Sequence, residues 1–286
     1  MSGIEHGTVR ILVALSATAD TRVELELYRY LLGDAAPELV GLVVEDPALL
    51  AHAGSRLARE IVLSGVERRL DPEALERELR ARSAAWRRAL EAESARLGVR
   101  IALETVRDER RRALARAAER ADALVVDSAA LRDALAIWGA LPPSAPLHTL
   151  VLTPGRVPAG GIIVVVDDDD LVAGDDSALA AALRLARRTG APLTVLDVAR
   201  ADATARPQRR IGELRELGVR VESYVAIEGA RIDARTLAMH AAHAGLLVLP
   251  PAASADPDLV AELAARLRGA LMLRRGPRAG ETRRDA

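Results

Sequence analysis

The stretch Ile-Ile-Val-Val-Val-Asp at residues 162–167 decides the fold of this chain. Its five consecutive apolar residues, all of them β-branched, are typical of a strand that is buried on both faces in the middle of a parallel sheet. A similar stretch, Ile-Leu-Val-Ala-Leu at residues 11–15, stands near the start of the chain. Because a strand of this type opens both halves, we infer that the chain contains one structural unit twice.

A second repeated motif supports this duplication. Leu-Gly-Val-Arg occurs at residues 97–100 and again at 217–220, each time between a helical segment and a strand of alternating polarity. The segment upstream of this motif is longer in the first copy, which predicts an insertion between its second and third strands. We therefore predict a first domain at 8–153 with a helical insertion at 46–82, a second domain at 160–274, and a mobile tail at 275–286.

Each copy is predicted to contain five strands separated by helices. Strands that alternate with helices form right-handed crossovers and a parallel sheet covered on both faces. The third strand of each copy alternates apolar and polar residues, which leaves one face wet and favours an edge position. We therefore expect an α/β fold of two tandem five-stranded parallel sheets with strand order 3-2-1-4-5. The predicted strands are 9–16, 38–45, 99–106, 123–127 and 147–152 in the first copy, and 161–167, 192–198, 219–226, 245–249 and 269–273 in the second.

The composition excludes several classes of protein. The 286 residues carry 40 Lys and Arg against 41 Asp and Glu, so a net charge of −1 provides no field that would attract nucleic acid. The sequence contains no Cys and no Lys, which excludes thiol chemistry, a P-loop lysine and a Schiff base. No secretory leader or apolar span is recognisable, so we expect a cytoplasmic protein without membrane insertion.

Two tandem copies of a five-stranded α/β unit, each opened by an apolar strand, resemble a tandem universal stress protein. The resemblance covers residues 10–273 and implies a fold of the adenine-nucleotide alpha-hydrolase type. It also implies a cytoplasmic stress-response protein whose two copies pair through their fifth strands as a pseudo-dimer, with a homodimer left open. Many members of this family bind ATP at the carboxyl ends of the strands.

The ATP-binding residues of that family are matched only in part. In nucleotide-binding members, an Asp at the end of the first strand contacts the adenine end of ATP. Asp167 matches this position in the second copy, whereas Ser16 occupies it in the first. Those members also carry a glycine-rich loop directly after the fourth strand, and neither copy of this sequence has one.

The segments that replace this loop are unsuited to a phosphate group. A phosphate site after a strand needs backbone N–H groups, glycines and a helix N-terminus. The first copy places Asp127 where a phosphate would lie, and two like charges about 4 Å apart repel by about 4 kcal/mol at an effective dielectric constant of ~20. In the second copy, Pro250 and Pro251 remove two successive N–H donors, and Asp256 follows. We therefore expect no ATP cofactor in either copy.

An acidic run at residues 167–170 follows the first strand of the second copy. Open α/β sheets bind ligands at this edge, so Asp167 and Asp168 are candidate ligand-binding residues. The alternative is a solvated loop in which a side chain of residues 175–177 caps the next helix. A Mg²⁺ site is not favoured, because consecutive side chains in an extended segment point to opposite sides.

Three further features are typical of structure rather than of a site. His240 and His243 lie three residues apart on a predicted helix, but zinc needs further ligands, and neither Cys nor a His-Glu-x-x-His motif is present. The charged run at 107–112 is typical of a solvated first helical turn, with binding of a phosphorylated partner as the alternative. Trp86 and Trp138 are expected in the core or at an interface.

The sequence contains no nucleophile motif, so we assign no catalytic residue. The leading hypothesis is a non-catalytic regulatory or scaffold protein of the stress response. An unidentified protein partner is expected on the insertion, because the insertion breaks the symmetry of the two copies. One rival hypothesis is a nucleotide-dependent enzyme or ATP switch that works through Asp167 and the acidic run. The other is the regulatory half of a membrane transporter.

Overall fold

A computed structural model describes residues 9–14, 37–61, 65–127, 130–138, 141, 148–152, 160–172, 177–198, 214, 216, 219–227 and 233–275. The strands in these ranges are β1 Val9–Ala14, β2 Pro37–Val44, β3 Arg59–Ile61, β4 Glu67–Arg69, β5 Arg100–Val106, β6 Ala123–Asp127, β7 His148–Leu152, β8 Ile162–Val166, β9 Leu193–Asp197, β10 Val221–Ala226, β11 Leu246–Leu249 and β12 Ala270–Arg274. The helices are α1 Pro47–Ala53, α2 Pro72–Leu97, α3 Arg110–Ala118, α4 Leu131–Trp138, α5 Asp168–Val172, α6 Ala178–Thr189, α7 Ala234–His240, α8 Pro251–Ser254 and α9 Pro257–Arg266.

Ten of these strands form a single α/β sheet. Their order is β10-β9-β8-β11-β12-β7-β6-β1-β2-β5. Neighbouring strands run parallel, except for β12 and β7, which are antiparallel. Strands β5 and β10 correspond to the predicted third strands of the two copies, and they lie at the two edges of the sheet. The edge positions predicted from the alternating pattern are therefore confirmed.

The continuously apolar strands lie inside the sheet, as the sequence predicts. Every residue of β6, β8 and β11 is buried. Two layers of apolar side chains cover the two faces of the sheet, one contributed largely by α3, α4, α7 and α9 and the other by α2 and α6. This two-sided burial explains why these strands contain few polar residues.

The antiparallel contact between β7 and β12 joins the two halves of the sheet. Its middle is apolar, because Leu150 lies opposite Met272 and both side chains are fully buried. One end is polar, where His148 lies opposite Arg274. Arg274 is buried within β12, so the last strand extends one residue beyond the predicted range of 269–273.

Capping residues fix both ends of the long helix α2. Asp71 accepts a hydrogen bond from the backbone N–H of Glu73 at the start of the helix. Gly98 ends it with a φ of 65°, a left-handed conformation that glycine adopts without a steric cost. Trp86 is buried on the inner face of this helix, and Trp138 is buried on α4. Of the two positions expected for the tryptophans, the core or an interface, the structure shows the core.

The insertion at 46–82 is not wholly helical, which corrects the prediction. After α1, strands β3 and β4 pair as an antiparallel hairpin, and α2 begins only at Pro72. The sequence explains the hairpin, because residues 61–66 contain three β-branched residues and Gly65, whose φ of 79° suits a turn. Residues 62–64, the connection at 153–159 and the predicted tail from 276 lie outside the described residues.

The helices show no candidate for a membrane span. Across the described ranges, no helix is both long enough and apolar enough to cross a bilayer.

Candidate functional site

Asp167 lies at the carboxyl end of β8, where the sequence places it. Its Oδ1 atom accepts a hydrogen bond of 2.7 Å from the backbone N–H of Asp170. The carboxylate therefore caps the first turn of the short helix α5, while the side chain remains partly exposed. Asp168, the other predicted site residue, is exposed in the same turn.

Asp170 is the buried member of the acidic run, and sequence reasoning missed its role. Its two carboxylate oxygens accept hydrogen bonds from the N-terminal turn of α6, from Ala178 N–H at 2.6 Å and from Leu179 N–H at 3.1 Å. Burial raises the pKa of Asp170, and these two hydrogen bonds partly offset that effect. No local pattern in the sequence indicates this role, because it depends on how the turn at 167–172 packs against the start of α6.

Replacing Asp170 with Asn is expected to lower the free energy of unfolding by about 2 kcal/mol. The amide has only one acceptor oxygen, so one buried N–H group of α6 loses its partner and the amide NH₂ faces the helix N-terminus. Urea denaturation at pH 7 would measure the loss. Ser177→Ala is the matched control, because Ser177 Oγ accepts a single hydrogen bond, from Ala180 N–H, at the same helix start. A loss for Asp170→Asn no greater than that of the control would contradict this role.

The carboxylates of the acidic run are partly occupied by backbone N–H groups. No group of three or more His, Asp or Glu side chains suited to a metal ion occurs in the described ranges. Two of the four carboxylates, those of Asp167 and Asp170, are already used by backbone N–H groups. The prediction that a helix cap follows the run is confirmed at Ser177, whereas residues 175 and 176 are not described.

A second acidic residue, Asp197, stands beside Asp167 at the same edge of the sheet. It ends β9 and pairs in register with Val166, the residue that precedes Asp167. The hydroxyl of Tyr224 donates a hydrogen bond to Asp197 Oδ2. The other oxygen, Oδ1, is buried and has no hydrogen-bond partner within the described part of the chain. The signal in the sequence is the Leu-Asp pair at the end of the second strand, which parallels Val166-Asp167.

The carboxyl end of the fourth strand in the first half carries an internal carboxylate. Asp127, the last residue of β6, is buried, and its Oδ1 accepts a hydrogen bond of 2.6 Å from Ala130 N–H. This N–H belongs to the turn that leads into α4. Ser128, Ala129 and Ser16 lie outside the described residues.

In the second half, the corresponding turn follows β11. Pro250 and Pro251 begin α8 and contribute no N–H groups. Asp256 caps the next helix, α9, and accepts hydrogen bonds of 3.1 Å from the N–H groups of Asp258 and Leu259. The donors of this helix start are therefore also used within the chain.

The histidine pair and the charged run lie at helix ends. The prediction that both histidines lie on one helix is wrong, because α7 ends at His240 and His243 follows in a turn. Both side chains are exposed, and the described residues contain no group of three or more candidate metal ligands. In the charged run, Asp108 forms ion pairs with Arg112 and Arg116, and Asp133 of α4 pairs with Arg110 and Arg111. These ion pairs neutralise most of the charges of the run. They agree with the interpretation of residues 107–112 as the solvated first turn of a helix.

Solved structures resemble this sheet over almost its full length. A universal stress protein from Archaeoglobus fulgidus aligns over 93% of this chain and 96% of its own, at 12% identity and a TM-score of 0.56. A Pseudomonas aeruginosa protein with a provisional description as a universal stress protein aligns over 94% of both chains, at 17% identity and a TM-score of 0.49. The cytoplasmic domain of a prokaryotic cation chloride cotransporter aligns over 93% of this chain and 95% of its own, at 16% identity and a TM-score of 0.43. The first of these similarities shows that the chain has a universal-stress-protein-like fold.

Comparison of the amino-acid sequence with known families and proteins finds no match. No protein-family model matches it, and no curated protein matches it at a significant level.

Proposed function

We propose that this chain is a non-catalytic regulatory or scaffold protein of the universal-stress-protein type, in which neither half grips the phosphates of ATP. The observation that carries the proposal is that the turns after β6 and β11, the fourth strands of the two halves, offer few free backbone N–H groups among the described residues. Ala130 N–H is bound by Asp127, Pro250 and Pro251 have no N–H group, and Asp256 binds the donors of the next helix. A triphosphate would therefore meet carboxylates instead of free amides.

The proposal includes two domains, at 8–153 and 160–274, that pair through their fifth strands β7 and β12. The same strand order in both halves and the antiparallel join between them support a pseudo-twofold arrangement. Pairing within the chain would cover the free edges of both fifth strands. Cytoplasmic location and a role in the stress response are implied by the resemblance.

An ATP switch in the second half is the alternative function. Asp167 ends the first strand of that half, at the position where nucleotide-binding members contact adenine, and Asp168 is exposed next to it. The side chain of Asp167 is partly exposed, so an adenine amino group or a ribose hydroxyl could donate a hydrogen bond to its carboxylate. This accessibility favours the alternative over other enzymatic functions.

Thermal unfolding with and without ATP·Mg²⁺ tests the proposal. A site filled to 100 times its Kd adds about 2.7 kcal/mol of stability, which would raise the Tm by roughly 5–10 °C. We expect a Tm change below about 1 °C at millimolar ATP, because Asp127 binds Ala130 N–H and the two prolines have no N–H group to offer a phosphate.

The variant Asp167→Ala separates the two functions. A rise in Tm for the wild type that disappears in this variant would establish the ATP switch and overturn the leading proposal. A rise that persists in Asp167→Ala would contradict both, because it would place nucleotide away from Asp167.

A further inference from the structure

Three of the four exposed large hydrophobic side chains among the described residues lie in the hairpin of the insertion or just before it. Leu57, Ile61 and Val66 are 86%, 72% and 58% exposed, and Met239, on α7, is the fourth such residue at 68%. Single exposed apolar residues are ordinary, but three within ten residues are a local concentration of exposed apolar side chains. The insertion therefore exposes apolar residues that the core does not cover.

The hairpin is also too small to be stable by its own contacts. Strands β3 and β4 have three residues each and form a separate two-stranded sheet. All three residues of β4 are exposed. Two-stranded hairpins are at best marginally stable in water, whereas additional strands or a covering layer stabilise them.

The outer edge of β4 has backbone groups that point away from β3. Leu70 N–H donates to Ala58 O at 3.2 Å, so the backbone of Leu70 faces β3. Because these groups alternate along an antiparallel strand, Arg68 also faces β3, and the N–H and C=O groups of Glu67 and Arg69 point outward. The outer side of β4 is therefore a strand edge on which Glu67 and Arg69 each offer one N–H donor and one C=O acceptor.

The sequence of this edge, Val-Glu-Arg-Arg-Leu at residues 66–70, is complementary to itself when read antiparallel. With Arg68 at the centre, Glu67 lies opposite Arg69 of a second copy, and Arg69 lies opposite Glu67. These are also the residues whose backbone groups point outward, so each pair forms two backbone hydrogen bonds and one ion pair. Val66 then lies opposite Leu70 of the second copy, which covers an exposed apolar residue.

In this register the two Arg68 residues lie opposite each other. Both are exposed, so their charged ends can extend into water and away from one another.

We propose that strand β4 is a self-association surface. It pairs antiparallel with β4 of a second copy of this chain about a twofold axis at Arg68, and the two hairpins form one four-stranded sheet. Charge complementarity favours a second copy over other occupants, because the same five residues supply both partners of each ion pair. A twofold interface of this kind is self-complementary by construction.

Sedimentation velocity of the full chain between about 5 and about 200 µM tests the proposal, because a small interface is expected to have a micromolar Kd. We expect a concentration-dependent dimer. Val66→Asp should abolish it by placing a carboxylate against Leu70 of the other copy. Met239→Asp, which alters an equally exposed residue on α7, should leave the dimer unchanged.

Charge exchange tests the register. Glu67→Arg alone and Arg69→Glu alone each create two like-charged pairs across the axis, so each should raise the dimer Kd by about tenfold or more. The double variant restores both ion pairs in reversed order and should restore dimerisation.

Three outcomes would overturn the proposal. They are a monomer at every concentration, a dimer indifferent to the single charge reversals, and binding to anionic phospholipid vesicles by a chain that stays monomeric. The last outcome would identify the hairpin as a lipid-docking element instead.

Discussion

Lowering the pH from 6.5 to 4.5 is expected to cost the protein about 2 kcal/mol of unfolding free energy through His148 alone. Burial is the largest cause, and the positive charges of Arg274 and Arg184 add to it; together they lower the pKa of His148 from 6.5 to about 3. The unfolded chain therefore takes up this proton near pH 6.5, and the folded protein only near pH 3. Between these values the unfolded state binds more protons, so stability is present above pH 6.5 and is lost as the pH falls.

The contacts of His148 explain why protonation of its ring destabilises the folded protein. Arg274 Nη1 lies 3.4 Å from His148 Nε2, and a guanidinium can only donate, so Nε2 accepts and the ring proton is on Nδ1. Nδ1 is itself buried and has no partner in the part of the chain that is described. Protonation of Nε2 would place two cations against each other. Because the residue is partly exposed to water, we expect less than the full linkage energy that the pKa difference would give.

The variant His148→Gln isolates this effect, because glutamine can accept from Arg274 but does not titrate. Denaturant unfolding of both proteins from pH 8 to pH 4.5 gives the difference in unfolding free energy at each pH. The wild type should lose stability relative to the variant below pH 6.5, and the difference should be constant above it. A difference that is the same at every pH would show that His148 takes up its proton normally in the folded protein.

The strands of the ten-stranded sheet are well predicted from the sequence, because the pattern of apolar and polar residues within each strand indicates how many of its faces are buried. A strand such as β8, with five buried apolar residues, cannot be mistaken for a half-exposed one. The edge positions of β5 and β10 follow from alternation in the same way. The hairpin β3–β4 was missed because its three-residue strands are too short to show a period, and Arg and Glu in that segment suit a helix equally well.

The candidate site was predictable in position but not in detail. The chain pattern places Asp167 at the end of a central strand, and the structure agrees. It does not indicate that Asp170 is buried under α6 or that Asp197 meets Tyr224, because both contacts depend on residues that are distant along the chain or on another strand. A run of acidic residues has the same composition whether its members bind a ligand, cap helices or face water.

Replacing Gly269 with alanine is expected to lower the unfolding free energy by about 3 kcal/mol or more, the largest loss among the single substitutions considered for this protein. A Cβ atom at this position would lie 2.3 Å from Ala244 O and 2.8 Å from Gly245 O. Both neighbours are backbone atoms, which cannot rotate away as a side chain can. The next residue, Ala270, starts β12 and donates its N–H to Gly245 O at 3.0 Å, so the clash falls where β12 is attached to β11.

Gly98→Ala is the matched control, because it separates steric overlap from backbone conformation. Gly98 has a φ of 65° and nothing within 4 Å of an added Cβ, so its substitution should cost only about 1 kcal/mol, the price of a left-handed alanine. Urea unfolding of both variants gives the comparison. Because β12 pairs with β11 on one side and with β7 on the other, a shift that relieves the overlap must weaken one of these ladders. Equal losses in the two variants would mean that β12 can move without cost, and the join between the two halves of the sheet would then be looser than its buried side chains indicate.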